Sequence, residues 1–407
     1  MLDVKKIRKD FPMFATNPGL IYFDNSATSF KPQAVIDRIT EFYTHDTVNV
    51  DRGDYYLSTK ITAEYEKSRA VVANFINAAE ANEIVFTSGA SASLNLIALG
   101  FLKNYLKKGD VILTTLAEHA SNILPLFHIC DETGAIIRYI PLTDDGQLTV
   151  ANFKKVMDKQ VKFVSIAGIS NVLGYINPIK EITKIAHEYQ AVVALDGAQS
   201  VPHVKTDVQD LDVDFLAFSA HKMLGPSGLG VLYGKRAYLE QTAVLNYGGG
   251  SNARFNKEGE IILKDIPHRF ESGTPAIEQV LAFKEAICYL EKIGMDEIEA
   301  YEKELNAYLL AGLKKLASVI IYNPNADTGI ISINFKGIFA QDVAGYFSNH
   351  NICVRSGNHC AKILHNVICT NESIRISLYF YNTKEEIDEF LKVCETVTLE
   401  NCIDIFI

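Results

Sequence analysis

The chain has 407 residues, 48% of them hydrophobic, and a formal net charge of −10 spread over interspersed acids and bases. That length supports a large core and two domains, and with no basic block neither nucleic acid nor an anionic membrane is an expected partner. The charged start MLDVKKIRKDFPMF lacks an apolar stretch of signal-peptide length, and no run of about 18 apolar residues occurs, so a cytoplasmic, unanchored protein is expected.

In chain order, a helix is predicted over 33–44, with Val35, Ile36, Ile39, Phe42 and Tyr43 on the stripe that packs against a sheet. Apolar runs at 84–86, 111–115, 135–140, 161–167, 191–195 and 215–220 read as strands, alternating with helical patterns that include 60–77, 92–106 and 178–189. This rhythm predicts an α/β fold. Short apolar runs bounded by Gly, Asp or Pro predict strands buried on both faces, as in a mostly parallel sheet. Long helical patterns at 276–293 and 296–316 then break the rhythm. The remainder (VIIYN, GIISINF, a helix from Ala340, ICVRS, SIRISLYF, a helix from Lys384) reads as α+β. A large α/β domain over 22–289 and a smaller α+β domain built from 1–21 and 290–407 are therefore expected. Seven cysteines, at 130, 288, 353, 360, 369, 394 and 402, include no C-x-x-C pair, which predicts reduced thiols.

Two reactive groups end two of these strands: Asp196 after VVAL, and Ser219-Ala220-His221-Lys222 after DFLAF. In an open α/β sheet the ligand crevice lies at the carboxyl ends of the strands, so Asp196 and Lys222 are expected to share it. A lysine that forms a Schiff base and an acid that keeps a pyridine nitrogen protonated are the two groups that pyridoxal 5'-phosphate requires of a protein. The competing reading is an N-cap Asp and a solvated Lys. After strand 84–86, a small-residue turn opens a helix, and Gly89, Ala90 and the Ser91 hydroxyl are the expected phosphate ligands. His119, following VILTT, could lie flat against an aromatic ring or simply cap a helix. Asn171 and Gln199 could each bond the cofactor's phenolic oxygen, or form turns.

Cys360 sits in a polar loop, Val354 to Ala361, whereas Cys288 and Cys394 fall in helical patterns, so Cys360 is the expected exposed thiol. Neighbouring Arg355 and His359 would favour its thiolate, the nucleophilic form. Arg375, in SIRISLYF, offers a guanidinium fork for an amino-acid carboxylate, although either arginine could instead bridge a surface acid. A zinc site drawn from Cys353, Cys360, Cys369, His359 and His365 matches no standard spacing, and no metal is expected.

Through S-A-H-K-M-L-G-P, L-D-G-A-Q-S, E-H-x-S-N, S-N-V-L-G, E-S-G-T-P and R-S-G-N-H-C-A, the chain resembles the cysteine desulfurases of aminotransferase class V over nearly its whole length. It is most similar to the type II group, which includes selenocysteine-lyase-like enzymes and the desulfurases of the SUF iron-sulfur system, because Cys360 lies on a short R-x-G-x-H-C loop. The resemblance implies a fold-type-I pyridoxal-phosphate transferase, with a mixed, mostly parallel seven-stranded sheet between helices. It also implies a homodimer with active sites at the subunit interface. By motif position Lys222 is the Schiff-base lysine, Asp196 the pyridinium partner, His119 the stacking residue and Cys360 the persulfide-forming nucleophile. Ser91, Gln199, Ser219 and His221 join the phosphate and ring contacts, and Thr274 reaches the neighbouring subunit's phosphate. Asn171, Arg355 and Arg375 hold the substrate carboxylate.

The implied reaction takes L-cysteine, or L-selenocysteine, to L-alanine. Sulfur then passes through Cys360 to an acceptor protein of the SufE or SufU kind, for iron-sulfur clusters or another thiolated product. Two rivals are a class V aminotransferase or lyase that uses no protein thiol, and a weakly active scaffold. Cys360 argues against the first, and retention of Lys222, Asp196, His119, Cys360 and Arg375 against the second. Four departures from the family pattern bear on turnover, substrate preference and acceptor: Asn358 for a first loop His, Ala120 for the second His of E-H-H, Asp51 to Tyr55 for H-R-G-x-H, and Gln341 before Asp342 where relatives with a zinc-bearing acceptor have His.

Overall fold

The computed structural model describes residues 2–403. Its central sheet has seven strands: β1 (Ile84–Thr87), β2 (Val111–Thr114), β3 (Ile136–Tyr139), β4 (Val161–Ala167), β5 (Val192–Asp196), β6 (Phe215–Ser219) and β7 (Gly230–Gly234). Their order is β1-β7-β6-β5-β4-β2-β3. Every pairing is parallel except those of β7, which runs against both β1 and β6. A parallel return needs a crossover of a dozen or more residues; segment 220–229 is shorter and can only bring the chain back antiparallel. The fold is the α/β type I arrangement expected. GVLYG of β7 lies outside the runs read as strands, because its flanking glycines shorten the apolar signal.

Strict alternation along the strands feeds two cores. Val193, Leu195, Leu216 and Phe218 join Ile61, Val72 and Phe283 on one face; Phe163, Val192, Ala194, Phe215 and Ala217 join Phe101, Ile123 and Leu126 on the other. Continuing the same parity to the strand ends puts Ala167, Asp196 and Ser219 on the second face. There Ala167 pairs with Asp196 and Asp196 with Ala217. The helices that cover this face, one running from Ala90 to Tyr105 and one over Ala120–Thr133, start beside those strand ends. The second helix lies outside the predicted elements, since Pro125 within it interrupts the apolar period.

The helix predicted over 33–44 spans Gln33–Glu41 and continues as a π-turn to Asp46. Its buried side is Val35, Arg38 and Phe42, while Ile36 and Tyr43 of the expected stripe are exposed. Arg38 tolerates burial because Glu64 (2.8 Å) and Asp46 (3.5 Å) neutralise it. Tyr43 points outward, where its hydroxyl donates to Glu278 (2.7 Å).

A second, antiparallel sheet comprises β8 (Val319–Ile321), β9 (Ile330–Phe335), β10 (Arg355–Gly357) and β11 (Ser373–Ser377), in the order β8-β9-β11-β10. It packs over its own core, with Leu309, Phe347, Ile374, Ile376 and Phe390. The N-terminal segment divides its side chains, Phe11 entering the first core and Ile21 and Phe23 that of the second sheet. Ile21–Tyr22 pairs in parallel with Ile352–Cys353, and Asp24 bridges Ser377. No helix among the described residues is long and apolar enough to cross a membrane.

Arg69 ties the first core to the segment that follows it. It is fully buried, donates to Glu271 at 2.6 and 2.9 Å, to Glu66 at 2.9 Å and to the Ile84 carbonyl at 2.9 Å, while Glu271 also accepts from the Phe86 amide. Arg69→Met strands the buried Glu271 carboxylate and is expected to cost about 3–5 kcal/mol. Urea denaturation reads this directly; an unchanged midpoint contradicts the assignment.

Candidate active site

At the carboxyl ends of β4, β5 and β6 lies a cavity of about 230 Å³ whose walls include Lys222, Asp196, His119, Cys360, Arg355 and Arg375. Asp196 is the last residue of β5, is buried, and accepts the Ala198 amide at 3.0 Å. Burial raises its pKa, and the nearby Lys222 charge opposes that. Lys222 closes the single turn Ala220–Lys222 that follows β6. Burial pulls its amine down to about 8, Arg375 and Arg355 add to the shift, and Asp196 and Cys360 resist it. No direct ion pair joins the two, so space remains between amine and carboxylate.

His119 caps the helix Ala120–Thr133, its Nδ1 accepting the Ser121 amide at 3.0 Å, and it also faces the cavity. Capping and cavity roles therefore coincide in one residue. Burial, followed by the Lys222 charge, lowers its pKa to about 4, so the ring is neutral at pH 7. The helix start is held from beneath: Glu118 accepts from Thr115 (2.7 Å) and Asn122 (2.8 Å), and Asn122 accepts from Ser165 of β4 (2.6 Å).

The turn expected to bind phosphate opens the helix at Ala90, with Gly89 at its N-cap. The Ala90 amide already donates to the Ser219 hydroxyl at 2.8 Å, and Ser91 exchanges a 2.6 Å bond with Ser121. Ala90, Ser91, Ser219 and His221 line the cavity, whereas Gly89 sits behind it. Its Cα lies 2.4 Å from where a Cβ on Gly230 of β7 would be, so only glycine at 230 lets the strand pass the turn. Burial and the Lys222 charge bring His221 to about 4.

Arg355 and Arg375 are direct cross-strand partners on β10 and β11, an arrangement that like charges disfavour unless anions intervene. One anion is present: Asp24 accepts from Arg375 Nη2 at 2.9 Å. Arg375 Nη1 donates to the Asn171 carbonyl at 3.1 Å, and its buried Nε has no partner. Gln199 Oε1 and Ser26 Oγ, also at the cavity, are buried and unpartnered as well. With His359 Nδ1, four orphaned polar atoms on cavity-lining residues around a partly filled charge set fit a bound group carrying phosphate, a polar ring and a substrate carboxylate.

The Cys360 loop is backbone-strained and clamped. Gly357, His359 and Cys360 have φ of 109°, 50° and 56°, a region that non-glycine residues rarely occupy. Asn171 Nδ2 donates to the His359 carbonyl (2.9 Å), the Ala120 amide to the Cys360 carbonyl (2.7 Å), and Asn358 Nδ2 to the Asn371 carbonyl (2.6 Å). One expectation is corrected here. His359 is buried with Nε2 3.0 Å from both Ser373 oxygens, and burial pushes its pKa far down, so it is neutral and offers the neighbouring thiol no positive charge. Of the two groups expected to favour a thiolate, Arg355 alone is a cation.

Thr274 lies in a separate cavity with Thr87, Ser88 and Asn95, where its hydroxyl accepts from Asn49 at 3.3 Å. Gln199 Nε2 donates to the Ser26 carbonyl at 2.9 Å. Sequence reasoning missed Ser26 and Ala27, which line the cavity, and Asp24, which holds Arg375. The available signal was the polar run D-N-S-A-T directly after an apolar strand. Among the described residues no group of three or more His, Cys, Asp or Glu is arranged to hold a metal ion, and no cysteine forms a disulfide; Cys360 is exposed as expected, but so are Cys369 and, against expectation, Cys288 on the outer side of its helix.

Residues 21–390 match the aminotransferase class-V family. A protein of Halalkalibacterium halodurans named probable cysteine desulfurase is 41% identical over 397 residues, covering 97% of this chain and 98% of its own. Among solved structures, an apo cysteine desulfurase from Thermococcus onnurineus superposes with a TM-score of 0.93 at 38% identity, covering 97% of this chain and 98% of that one. The Escherichia coli cysteine desulfurase CsdA gives 0.91 at 29% identity with the same coverage.

The lowered Lys222 pKa is directly measurable. In cofactor-free protein, acylation of Lys222 followed by peptide mass mapping is expected to show a pH midpoint near 8. Because the Asp196 charge raises that value, Asp196→Asn is expected to move the midpoint lower still; an upward move would contradict the electrostatic assignment.

Proposed function

The chain belongs to the aminotransferase class-V family, whose cofactor is pyridoxal phosphate, and from that premise we propose that it is a cysteine desulfurase converting L-cysteine to L-alanine with transfer of sulfur to Cys360. The observation that carries this reading is the convergence of an amine, a carboxylate, a thiol and two guanidinium groups on one cavity. Transamination needs no thiol there, and a scaffold needs none of the set.

When bound, pyridoxal phosphate supplies an aldehyde that condenses with amines and a protonated ring that accepts the electron pair released at the substrate α-carbon. Lys222 holds the cofactor through its amine. With its amine free, Lys222 would accept and return the substrate α-proton, a task suited to an amine poised near 8. The Asp196 carboxylate keeps the ring nitrogen protonated. Neutral His119 would pack against the ring, and Gln199 and Asn171 would contact its polar edge. Ala90 and Ser91, with Ser219 and His221, would hold the phosphate, while Gly89, behind the cavity, shapes the turn. Arg355 and Arg375 fix the substrate carboxylate, with Asn171 between them and the loop.

The Cys360 sulfur attacks the substrate sulfur. A sulfur–sulfur bond forms as the carbon–sulfur bond breaks, and the carbon fragment keeps the electron pair and takes up protons to become alanine. The outer persulfide sulfur then passes to a thiol on an acceptor protein, and iron-sulfur cluster assembly is the destination assigned to it. The functional unit in this reading is a homodimer, which gives Thr274, remote from its own subunit's cavity, a phosphate to bind across the interface.

Cys360→Ala is expected to keep cofactor absorbance yet lower sulfide and alanine release from L-cysteine by about 100-fold or more, the scale of losing an essential nucleophile. Full turnover in that variant refutes the nucleophile assignment. Arg375→Met, which removes a charge-assisted carboxylate contact, is expected to raise KM for L-cysteine by about 10-fold or more, and steady-state kinetics with an unchanged KM count against its substrate role.

A further inference from the structure

The segment Asp24 to Lys31 touches the cavity twice, through Ser26 and Ala27, and then passes behind the turn that carries Lys222. The main-chain carbonyl of His221, one peptide before Lys222, is a hub for this segment. It accepts from the Ser29 amide (3.1 Å), Thr28 Oγ1 (3.0 Å), Ser29 Oγ (3.2 Å) and Lys31 Nζ (3.1 Å). A carbonyl oxygen has two lone pairs, so four donors crowd one acceptor. On the far side of the turn, Ser29 Oγ accepts the Leu224 amide at 2.8 Å, and Leu224 holds a φ of 66° that L residues rarely adopt.

Lys31 is the charged member of this set. Its three ammonium hydrogens meet the His221 carbonyl, Thr28 Oγ1 (3.1 Å) and the Ser29 carbonyl, and no carboxylate among the described residues pairs with it. Burial draws its pKa down to about 8. A half-buried lysine whose only partners are neutral oxygens is unfavourable for stability alone, and every one of those oxygens belongs to the clamp around residue 221.

We propose that Lys31 is a positioning residue for Lys222, its ammonium fixing the His221 carbonyl and so holding the turn that presents the Lys222 amine to the cavity. The inference rests on the cofactor reading above and concerns the readiness of that amine. Lys31 touches neither substrate nor cofactor.

The test is the rate at which the cofactor chromophore forms when pyridoxal phosphate is added to cofactor-free protein, followed by absorbance, with thermal melting of the cofactor-free proteins as control. Lys31→Met is expected to slow formation about tenfold, the rate equivalent of losing one charge-assisted hydrogen bond, with Lys31→Arg restoring most of it. Lys31→Gln, which keeps a donor but no charge, substitutes should the Met variant not fold, and is expected to fall between wild type and that loss. Wild-type rates in the uncharged variant that folds overturn the proposal, as does equal slowing in Lys31→Arg. Failure of the wild-type chain itself to form a chromophore would instead remove the cofactor reading.

Discussion

A half-buried lysine amine and a buried aspartate carboxylate lie near neighbouring strand ends without touching, and each makes the other's charge tolerable. Burial drives the Lys222 pKa down and the Asp196 pKa up, while their mutual attraction opposes both shifts. The rest of the site follows from keeping that gap. Side-chain alternation turns Ala167, Asp196 and Ser219 to one face, the helices starting at Ala90 and Ala120 wall it, and the short return into β7 leaves Lys222 at the rim of the sheet.

The thiol loop approaches this gap from the second sheet and is held by groups belonging to the first. Asn171 and Ala120, on the segments after β4 and β2, secure the carbonyls of His359 and Cys360, so the left-handed backbone there is over-determined rather than floppy. Where the family pattern has a second imidazole, this chain has Ala120, yet the contact it makes is a main-chain one that any residue but proline supplies. The substitution is therefore compatible with the same loop placement.

Much of this arrangement was legible from residues alone because buried parallel strands announce themselves as uninterrupted apolar runs, and a run that stops at Asp or at S-A-H-K marks a crevice. Other parts carried no such signal. The turn-stabilising residues Thr28, Ser29 and Lys31 are polar, have no apolar period and lie far away in sequence from Lys222. The hairpin Asn252–Phe255 and Ile261–Leu263 is mostly exposed and so lacks the alternation of a half-buried strand. The charge state of His359 could not be read from its neighbours, since it is set by burial against Ser373, a residue 14 positions away. The stripe over 33–44 misled for a related reason: Arg38, polar by composition, is inside because of Asp46 at the end of its own helix and Glu64 of the next.

Asp24 contacts Arg375 across 351 positions, Asn25 meets Asn382 across 357, and the Tyr381 hydroxyl reaches Asn25 as well as the Phe30 amide. Each of these partners lies more than 350 positions further along the chain, so none is available to the strap until that stretch has been made. Contacts of such separation close late and slowly. A chain lacking Arg375, Tyr381 and Asn382 would have no side-chain anchors for Asp24, Asn25 and Phe30, so the segment that braces the lysine turn depends on residues made last among its partners.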